Sequence, residues 1–307
     1  MAWSAADVPA AERALAAADK PLVLGQSHLR GFDTGEIHWR TTGVWDGTDS
    51  ANAAGPTKYL GDDFSHLQSY GPSAAPTYLV INAGAAGLPD FDCIAMLKHN
   101  IGSANGVNAQ LTSIQIANDA AFTGPETILS GWTQPGDERM VFLDLQDAAG
   151  TVARRFSGVQ YMRFRFDPSP AGIVSLGEVI IGQRRQLRHN PREPWDANNL
   201  VTDVSRFESS AGIIKDYSTR LGRRKISAAI NPNETANIND FVALFEDDTA
   251  FGTQPFLWVD SPASAPTEAT WMVFDPPELS GPQVGPAERQ FEFSAIEQGP
   301  HFRKLGE

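Results

Sequence analysis

The feature that most constrains the fold is a series of short apolar or alternating runs between residues 76 and 183. Clusters of Gly, Pro, Asn and Asp separate the runs at a spacing typical of a β-sandwich. The run VQYMRFRFD alternates apolar with polar or amphipathic residues, which predicts a strand with one buried and one wet face. The other runs are PTYLVINA, DCIAMLKHN, AQLTSIQIAND, TILSGW, ERMVFLDLQD and IVSLGEVIIGQ. We therefore expect an antiparallel β-sandwich.

The composition supports many short strands rather than long helices. The chain has 27 glycines and 21 prolines, which favour turns, beside 17 phenylalanines and 7 tryptophans, which favour pleated, half-buried surfaces. Its 307 residues suffice for about two domains. The single cysteine, Cys93, excludes an internal disulfide and a site built from several thiolates. No leader pattern or long apolar run is present, so the sequence predicts neither secretion nor membrane insertion.

Local patterns predict an N-terminal arm, two β-rich domains and a joining segment. An Ala-rich stretch predicts a helix or arm over residues 1–20, and the sandwich then occupies residues 21–183. The basic stretch RRQLRHNPREPWD predicts a linker at 184–196. Residues 197–307 predict a smaller β domain with a strand pair in GIIKDYSTRLGRRKISAAI and one helix in NDFVALFEDD.

Two stretches resemble known families. The sequence DFDCIAMLKHNIGSANGVNAQLTSIQIAND, with the closing strand SLGEVIIGQ, resembles the galactose-binding (discoidin-like) jelly roll that recurs in viral tail proteins. The helix NDFVALFED and the strands QPFLWVDSP, ATWMVFDPP and QFEFSAIEQ resemble the tail-tube-like domain of tailed-phage distal tail and baseplate hub proteins. The resemblance implies a mainly β protein, with a jelly-roll sandwich before a smaller β-sandwich that has one flanking helix. It also implies copies joined edge to edge in a ring. Residues 1–75 are not covered, and distal tail proteins place the tube-like domain first.

No pattern in the sequence predicts catalysis. Residues 25–29 lack the second glycine of a nucleophile elbow, and His99 has no partner at metal or dyad spacing. His28 and His38 lack the spacing of helical metal ligands. We therefore predict no catalytic residue, no metal and no cofactor.

The most suggestive binding feature is a set of aromatics around the polar loop of residues 46–72. Exposed aromatic faces stack on sugar rings, and carboxylates accept hydrogen bonds from sugar hydroxyls. Two alternatives stay open: these aromatics pin the loop to the sandwich or bury at a subunit interface, and calcium binds loop carbonyls with Asp46, Asp49 or Asp62. The predicted glycan surface comprises Trp39, Trp45, Asp46, Tyr59 and Tyr70.

Charge is distributed unevenly along the chain. The net charge is −13, which argues against nonspecific binding to nucleic acid or to an anionic membrane. A basic stretch in so acidic a chain favours pairing with carboxylates of neighbouring copies, where Arg–carboxylate contacts are bidentate. The predicted interface comprises Arg184, Arg185, Arg188 and Arg192, with Asp247 and Asp248 as complements.

These patterns lead to a ranked set of functional hypotheses. The first is a non-enzymatic structural component of a phage tail tip or baseplate, made in the host cytoplasm and located in the virion tail. It would bind copies of itself in a ring and other tail proteins, without membrane insertion or specific nucleic-acid binding. The alternative is a virion module that binds a host surface glycan. A tail-associated glycan hydrolase is the weakest hypothesis, because no triad, dyad or metal set is present.

Overall fold

The chain divides into two compact units. The first comprises Met1–Gln186 and Val259–Ala269, and the second comprises Leu187–Trp258 and Thr270–Glu307. The computed structural model describes residues 3–18, 22–25, 27–30, 36–50, 53–61, 68–102, 109–130, 140–145, 154–168, 172–186, 192–201, 204–208, 214–218, 223–230, 242–261, 269–275, 283–285, 288–289 and 291–297. Over these ranges, no helix is long and apolar enough to cross a membrane. The domain boundaries expected from the sequence stay predictions.

The first unit is built mainly from short strands. Its elements are β1 (Ser4–Asp7), α1 (Ala10–Ala17), β2 (Leu22–Leu24), β3 (Ile37–Arg40), a 3₁₀ turn (Thr57–Leu60), β4 (Ser69–Tyr70), β5 (Thr77–Asn82), β6 (Cys93–Leu97), β7 (Ala109–Ala117), β8 (Glu126–Ser130), β9 (Met140–Asp144), β10 (Arg154–Ser157), β11 (Tyr161–Pro168), β12 (Ser175–Leu176), β13 (Glu178–Gly182) and β14 (Arg185–Gln186). The strands predicted between residues 76 and 183 are therefore confirmed.

Two antiparallel sheets of the first unit face each other as a sandwich. One has the strand order β3-β5-β11-β7-β8, and the other has the order β13-β6-β9. Buried side chains from both sheets belong to one hydrophobic core, for example Leu79 and Phe164 from the first and Ile94 and Ile181 from the second. Burying each such side chain contributes about 1.5–3 kcal/mol. The jelly-roll sandwich in a mainly β chain is thus as predicted.

Strand β11 shows why the sequence alternates. Met162, Phe164 and Phe166 are fully buried in the core. The residues between them point to the opposite face, where Arg163 is half-buried and Arg165 is exposed. This outer face of the five-stranded sheet is the wet face that the alternation predicted.

The N-terminal arm differs from the single helix that was predicted. Ser4–Asp7 forms β1, which pairs antiparallel with Arg154–Ser157 of β10, and only Ala10–Ala17 is α-helical. The pairing satisfies backbone groups of this segment through a strand about 150 residues away in sequence. Local helix propensity does not report such a partner.

The second unit is also β-rich. Its elements are β15 (Arg192–Val201), β16 (Val204–Glu208), β17 (Ile214–Ser218), β18 (Arg223–Ile230), a π-helical turn (Leu244–Asp248), β19 (Phe256–Val259), β20 (Ala269–Phe274), β21 (Gln283–Gly285), β22 (Glu288–Arg289) and β23 (Phe291–Glu297). Strands β19, β20, β23, β18 and β15 lie side by side in that order. Rings of Phe256, Trp258, Phe274 and Phe293 pack on one another, with centroids 4.8–6.0 Å apart.

Two local predictions for this unit need correction. The strand pair expected within residues 212–230 is replaced by other partners, since β17 pairs with β16 and β18 pairs with β15 and β23. The expected helix becomes a π-helical turn at Leu244–Asp248, where Thr249 donates its backbone N–H to the carbonyl of Leu244. Residues 231–241, which include the predicted start of the helix, lie outside the described residues.

Candidate functional site

One corner of the first unit presents an aromatic ring to solvent. Residues 68–71, 98–102 and 172–176 form this surface, which we call the Tyr70 corner. Strand β4 pairs with β12, and Gly71 donates its backbone N–H to the carbonyl of Val174 at 2.8 Å. Asn100 likewise donates its backbone N–H to the carbonyl of Ser175 at 3.3 Å. Three separate segments therefore meet at one place.

The Tyr70 side chain is exposed but held in position. Its relative exposure is 38%. Its hydroxyl donates to Oε1 of Gln68 at 3.1 Å, and Nε2 of Gln68 donates to the carbonyl of Lys98 at 2.8 Å. This relay connects the phenol to the loop after β6, so the ring loses little further freedom when a ligand binds it.

The backbone of Tyr70 is bracketed on its other side by residues 54 and 55. Tyr70 and Ala54 exchange two hydrogen bonds of 2.7 and 3.0 Å. Gly55 has a φ of +78°, and a Cβ at this position would lie 2.6 Å from the carbonyl oxygen of Gln68. A glycine is therefore required for the chain to pass this close to the corner.

An apolar side chain and a bracing amide complete the described part of the corner. Ile173 is 47% exposed. The amide of Asn100 donates to the carbonyl of Ile173 at 2.7 Å and accepts the backbone N–H of Ser175 at 2.8 Å. The amide thus fixes the loop that carries Ile173, instead of offering its own groups to a ligand.

His99 lies beneath the same corner as a buried, neutral group. Its Nδ1 accepts the backbone N–H of Ile101 at 3.1 Å. Burial lowers the pKa of His99 from its ordinary value to about 4. The neutral ring therefore acts as a turn acceptor that shapes the loop of residues 98–102.

A second group of aromatics lies on the outer face of the five-stranded sheet, where a loop covers them. Trp45 donates its backbone N–H to the carbonyl of Ala120 at 2.8 Å, and its ring lies 4.5 Å from that of His38. Trp45 also packs on a small cluster that contains Val80 and Phe122. We call residues 41–50 the covering loop. In this loop the tryptophan serves to attach the chain to the sheet.

Arg163 of β11 fixes the covering loop from below. Its guanidinium lies 4.4 Å from the centre of the Phe122 ring and 5.7 Å from that of Tyr78. Its Nε donates to Gln115 at 2.8 Å, and its Nη1 donates to the carbonyl of Gly43. Burial lowers the pKa of Arg163 from its ordinary value, although the group stays charged.

Asp46 and Asp49 are occupied by groups of their own chain. Asp46 pairs with both terminal nitrogens of Arg40. The Thr48 hydroxyl donates to Asp46 at 2.8 Å and, with Arg40 beside it, holds the pKa of this carboxyl below its ordinary value. Asp49 accepts the backbone N–H of Trp39 at 2.8 Å. Across the described ranges, no three or more His, Cys, Asp or Glu side chains cluster to hold a metal. Asp62 lies outside those ranges.

The predicted glycan surface is therefore not one surface. Trp39 is fully buried, and its indole N–H donates to the Ser69 hydroxyl at 2.9 Å, so the ring offers no face to a sugar. Gly71 packs directly on this ring, because a Cβ there would lie 2.8 Å from it. Tyr59 is half-buried on the 3₁₀ turn. Among the predicted aromatics, Tyr70 has the ring that is both exposed and held.

Arg184 also has a different place from the predicted interface between copies. It is buried against Asp92, whose carboxylate is fully buried, with Nε 3.4 Å from Oδ1. The Asp92 carboxylate also accepts from the Arg184 backbone N–H at 2.8 Å and from Arg155 at 2.9 Å. Arg155 in turn pairs with Glu12 of α1 at 2.9 Å. A buried carboxylate needs such cations, so Arg184 is committed within its own chain.

The remaining predicted interface residues are dispersed. Arg185 lies half-buried in β14, and Arg192 begins β15. Asp247 is exposed and Asp248 is half-buried on the π-helical turn. Arg188 lies outside the described residues. Their role between copies stays a prediction.

Two positions in the described residues were missed by sequence reasoning. Gln68 positions Tyr70, and its i, i+2 spacing in QSY is the signal that could have indicated two side chains on one strand face. Phe251 is 64% exposed, and nothing in its local sequence distinguishes it from a core phenylalanine.

The comparisons with known proteins show low similarity. The sequence matches no family model and no curated protein significantly. Three solved structures share part of the chain's architecture. Chitosan-binding module 1 of a chitosanase/glucanase from Paenibacillus sp. IK-5 is 14% identical, covering 52% of this chain and 98% of the module, with a TM-score of 0.34. The lectin domain of lectinolysin, complexed with Lewis B antigen, is 10% identical, covering 52% and 99%, with a TM-score of 0.35.

The third structure is CBM62 from Clostridium thermocellum Xyl5A. It is 18% identical, covering 48% of this chain and 92% of the module, with a TM-score of 0.31. These structures are carbohydrate-binding and lectin modules, and none of the three is a viral tail protein.

Proposed function

We propose that the first unit is a carbohydrate-binding module whose contact surface is centred on Tyr70. The observation that carries this proposal is the exposed Tyr70 ring, which the Gln68 relay holds at a loop corner of the sandwich. A rigid aromatic face gives apolar contact to the C–H face of a sugar at little entropic cost.

The polar surroundings of the ring are suited to hydroxyl groups. Gln68 is half-buried, and its carbonyl oxygen has a second lone pair besides the one that accepts from Tyr70. Ile173 extends the apolar surface of the corner. Sugar sites combine apolar contact with a few placed polar groups in this way.

The proposed role is binding without catalysis. The corner's described amides are used for bracing, and His99 is buried with a lowered pKa, so it remains neutral at pH 7. Incubation of the protein with the bound glycan should therefore leave that glycan intact by mass spectrometry. Release of shorter sugars would contradict this part of the proposal.

The tail-ring role implied by the family resemblance stays a prediction. None of the three structures described above is a tail protein, and Arg184 is paired within its own chain. The described geometry therefore favours the glycan-binding alternative.

The proposal is tested by glycan-array binding of the full chain, followed by calorimetric titration of the strongest glycan. Chitosan oligosaccharide and the Lewis b oligosaccharide are suitable first probes. Tyr70→Ala should weaken binding by about tenfold or more, since an aromatic contact contributes about 1–3 kcal/mol. Tyr70→Phe keeps the ring and should retain most of the affinity. Phe251→Ala, in the other unit, is the matched control.

A complete absence of binding across the array would contradict the proposed function. Binding that Tyr70→Ala leaves unchanged would contradict the assignment of the site.

A further inference from the structure

The second unit carries an exposed phenylalanine on a tightly bonded turn. Phe251 is 64% exposed, which makes it the most exposed large apolar side chain in the described parts of the chain. A solitary surface apolar residue is ordinary. The backbone that presents this one is not.

The backbone of this turn is left-handed at three successive residues. Ala250, Phe251 and Gly252 have φ values of +46°, +57° and +77°. Bulky residues rarely adopt this conformation, and such strain persists only where the surroundings enforce it. The turn therefore keeps Phe251 outward at an energetic cost.

Several hydrogen bonds enforce the conformation. Gly252 donates its N–H to the carbonyl of Phe245 at 3.2 Å, and Gln254 donates its N–H to that of Thr249 at 2.9 Å. The Thr249 hydroxyl, which is fully buried, donates to the carbonyl of Phe245 at 2.9 Å and accepts the Gly252 N–H at 3.1 Å. The turn is thus a preorganised element.

The Phe251 ring is also connected to the core of its unit. It meets Phe245 edge to face at 6.4 Å, and Phe245 meets Phe274 of β20 edge to face at 5.2 Å. One edge of Phe251 therefore rests on the core, and the rest of the ring faces solvent.

Carboxylates surround the exposed ring. Glu246 and Asp247 are both exposed, and Phe251 donates its backbone N–H to the carbonyl of Glu246 at 3.4 Å. Within the described part of the chain neither carboxylate forms an ion pair. The surface is an apolar projection with an unpaired acidic rim, and its complement is an apolar recess beside clustered cations.

We propose that this turn is a self-association surface that docks on the basic start of β18 in a second copy of the chain. Residues Arg223, Arg224 and Lys225 open β18 and form a triple-basic run in a chain whose net charge is −13. Phe251 supplies the apolar anchor, and Glu246 and Asp247 face the cations. The acidic and basic surfaces are different, so the contact is heterologous or is made twice in a two-fold dimer.

The test is sedimentation equilibrium of the full chain up to about 1 mM subunit, the weak limit of specific association. The wild-type protein should associate, and added salt should weaken the association because charge pairs contribute. Phe251→Ala should raise the dissociation constant by about tenfold or more, as for an aromatic interface anchor. Tyr70→Ala is the matched control and should associate normally, which separates this inference from the glycan proposal.

Charge exchange makes the test specific. Glu246→Lys with Asp247→Lys should weaken association, as should Arg223→Glu with Arg224→Glu in a separate protein. Mixing these two folded variants should restore association between them. A monomeric wild type, an unaffected Phe251→Ala variant or a failure of the mixture to associate would each overturn the proposal. Circular dichroism verifies that every variant is folded.

Discussion

Two loop surfaces of the first unit use aromatic residues in opposite ways. In the covering loop, Trp45 contacts His38 and the Val80–Phe122 cluster, and Arg163 braces the loop from the sheet. At the Tyr70 corner, hydrogen bonds hold the aromatic at its edge and leave its ring open. The comparison teaches that an aromatic in a polar loop is a binding candidate only when other groups provide its support.

The largest expected effect comes from the buried histidine beneath the Tyr70 corner. The folded-state pKa of His99 is about 4, below its ordinary 6.5, so the unfolded chain takes up this proton first as pH falls. The free energy of unfolding should therefore decline between about pH 6.5 and 4, by up to about 3 kcal/mol from this group. Urea titrations across this range, compared with His99→Asn, measure that contribution.

In the His99→Asn variant, the amide oxygen can replace Nδ1 as acceptor for Ile101 without titrating. Its free energy of unfolding should fall less steeply with acid than that of the wild type. Equal slopes for the two proteins would show that His99 is not a buried neutral support.

The next effect concerns the covering loop. Trp45→Ala removes the ring that attaches this loop to the sheet, and it should lower the free energy of unfolding by about 2 kcal/mol. Glycan affinity should change less than twofold, because this ring is not at the Tyr70 corner. Chemical denaturation and calorimetry measure the two quantities, and a lost affinity with unchanged stability would reverse the roles of the two surfaces.

A smaller effect is expected for the residue that braces the covering loop. Arg163→Met keeps much of the aliphatic volume but removes the cation over Phe122 and Tyr78 and the bond to Gln115. A loss of about 1 kcal/mol in unfolding free energy is expected. Thermal denaturation measures it, with Arg165→Met on the same exposed face as the control that should change little.

The smallest stability effect is expected at the open surface. Tyr70→Ala removes an exposed ring and one hydrogen bond, so it should lower the unfolding free energy by less than about 1 kcal/mol. A larger loss would mean that Tyr70, like Trp45, mainly supports the fold.

Sequence patterns were sufficient for the strands but not for these two surfaces. Alternation in β11 and apolar runs in β5 and β13 report burial through the neighbouring residues alone. The difference between Trp45 and Tyr70 depends instead on partners far along the chain, such as Ala120 for the covering loop. Arg184 is similar, since its carboxylate partner Asp92 is 92 residues away.

The N-terminal arm and the π-helical turn show the same limit. Ala-rich composition favoured one helix, yet pairing with β10 makes Ser4–Asp7 a strand. In the turn, bonds from Thr249 and Gly252 to Phe245 replace regular helical bonding. Such interactions are visible only once the chain has folded.

The most direct test of glycan binding at Tyr70 is fluorine NMR of the full chain labelled with 3-fluorotyrosine. The chain has five tyrosines, and Tyr70→Phe assigns the relevant resonance. Addition of the strongest glycan from the array should shift the Tyr70 signal, while those of Tyr78 and Tyr161 on the outer sheet face stay unchanged. Shifts at the outer-face tyrosines with a stationary Tyr70 signal would contradict the account.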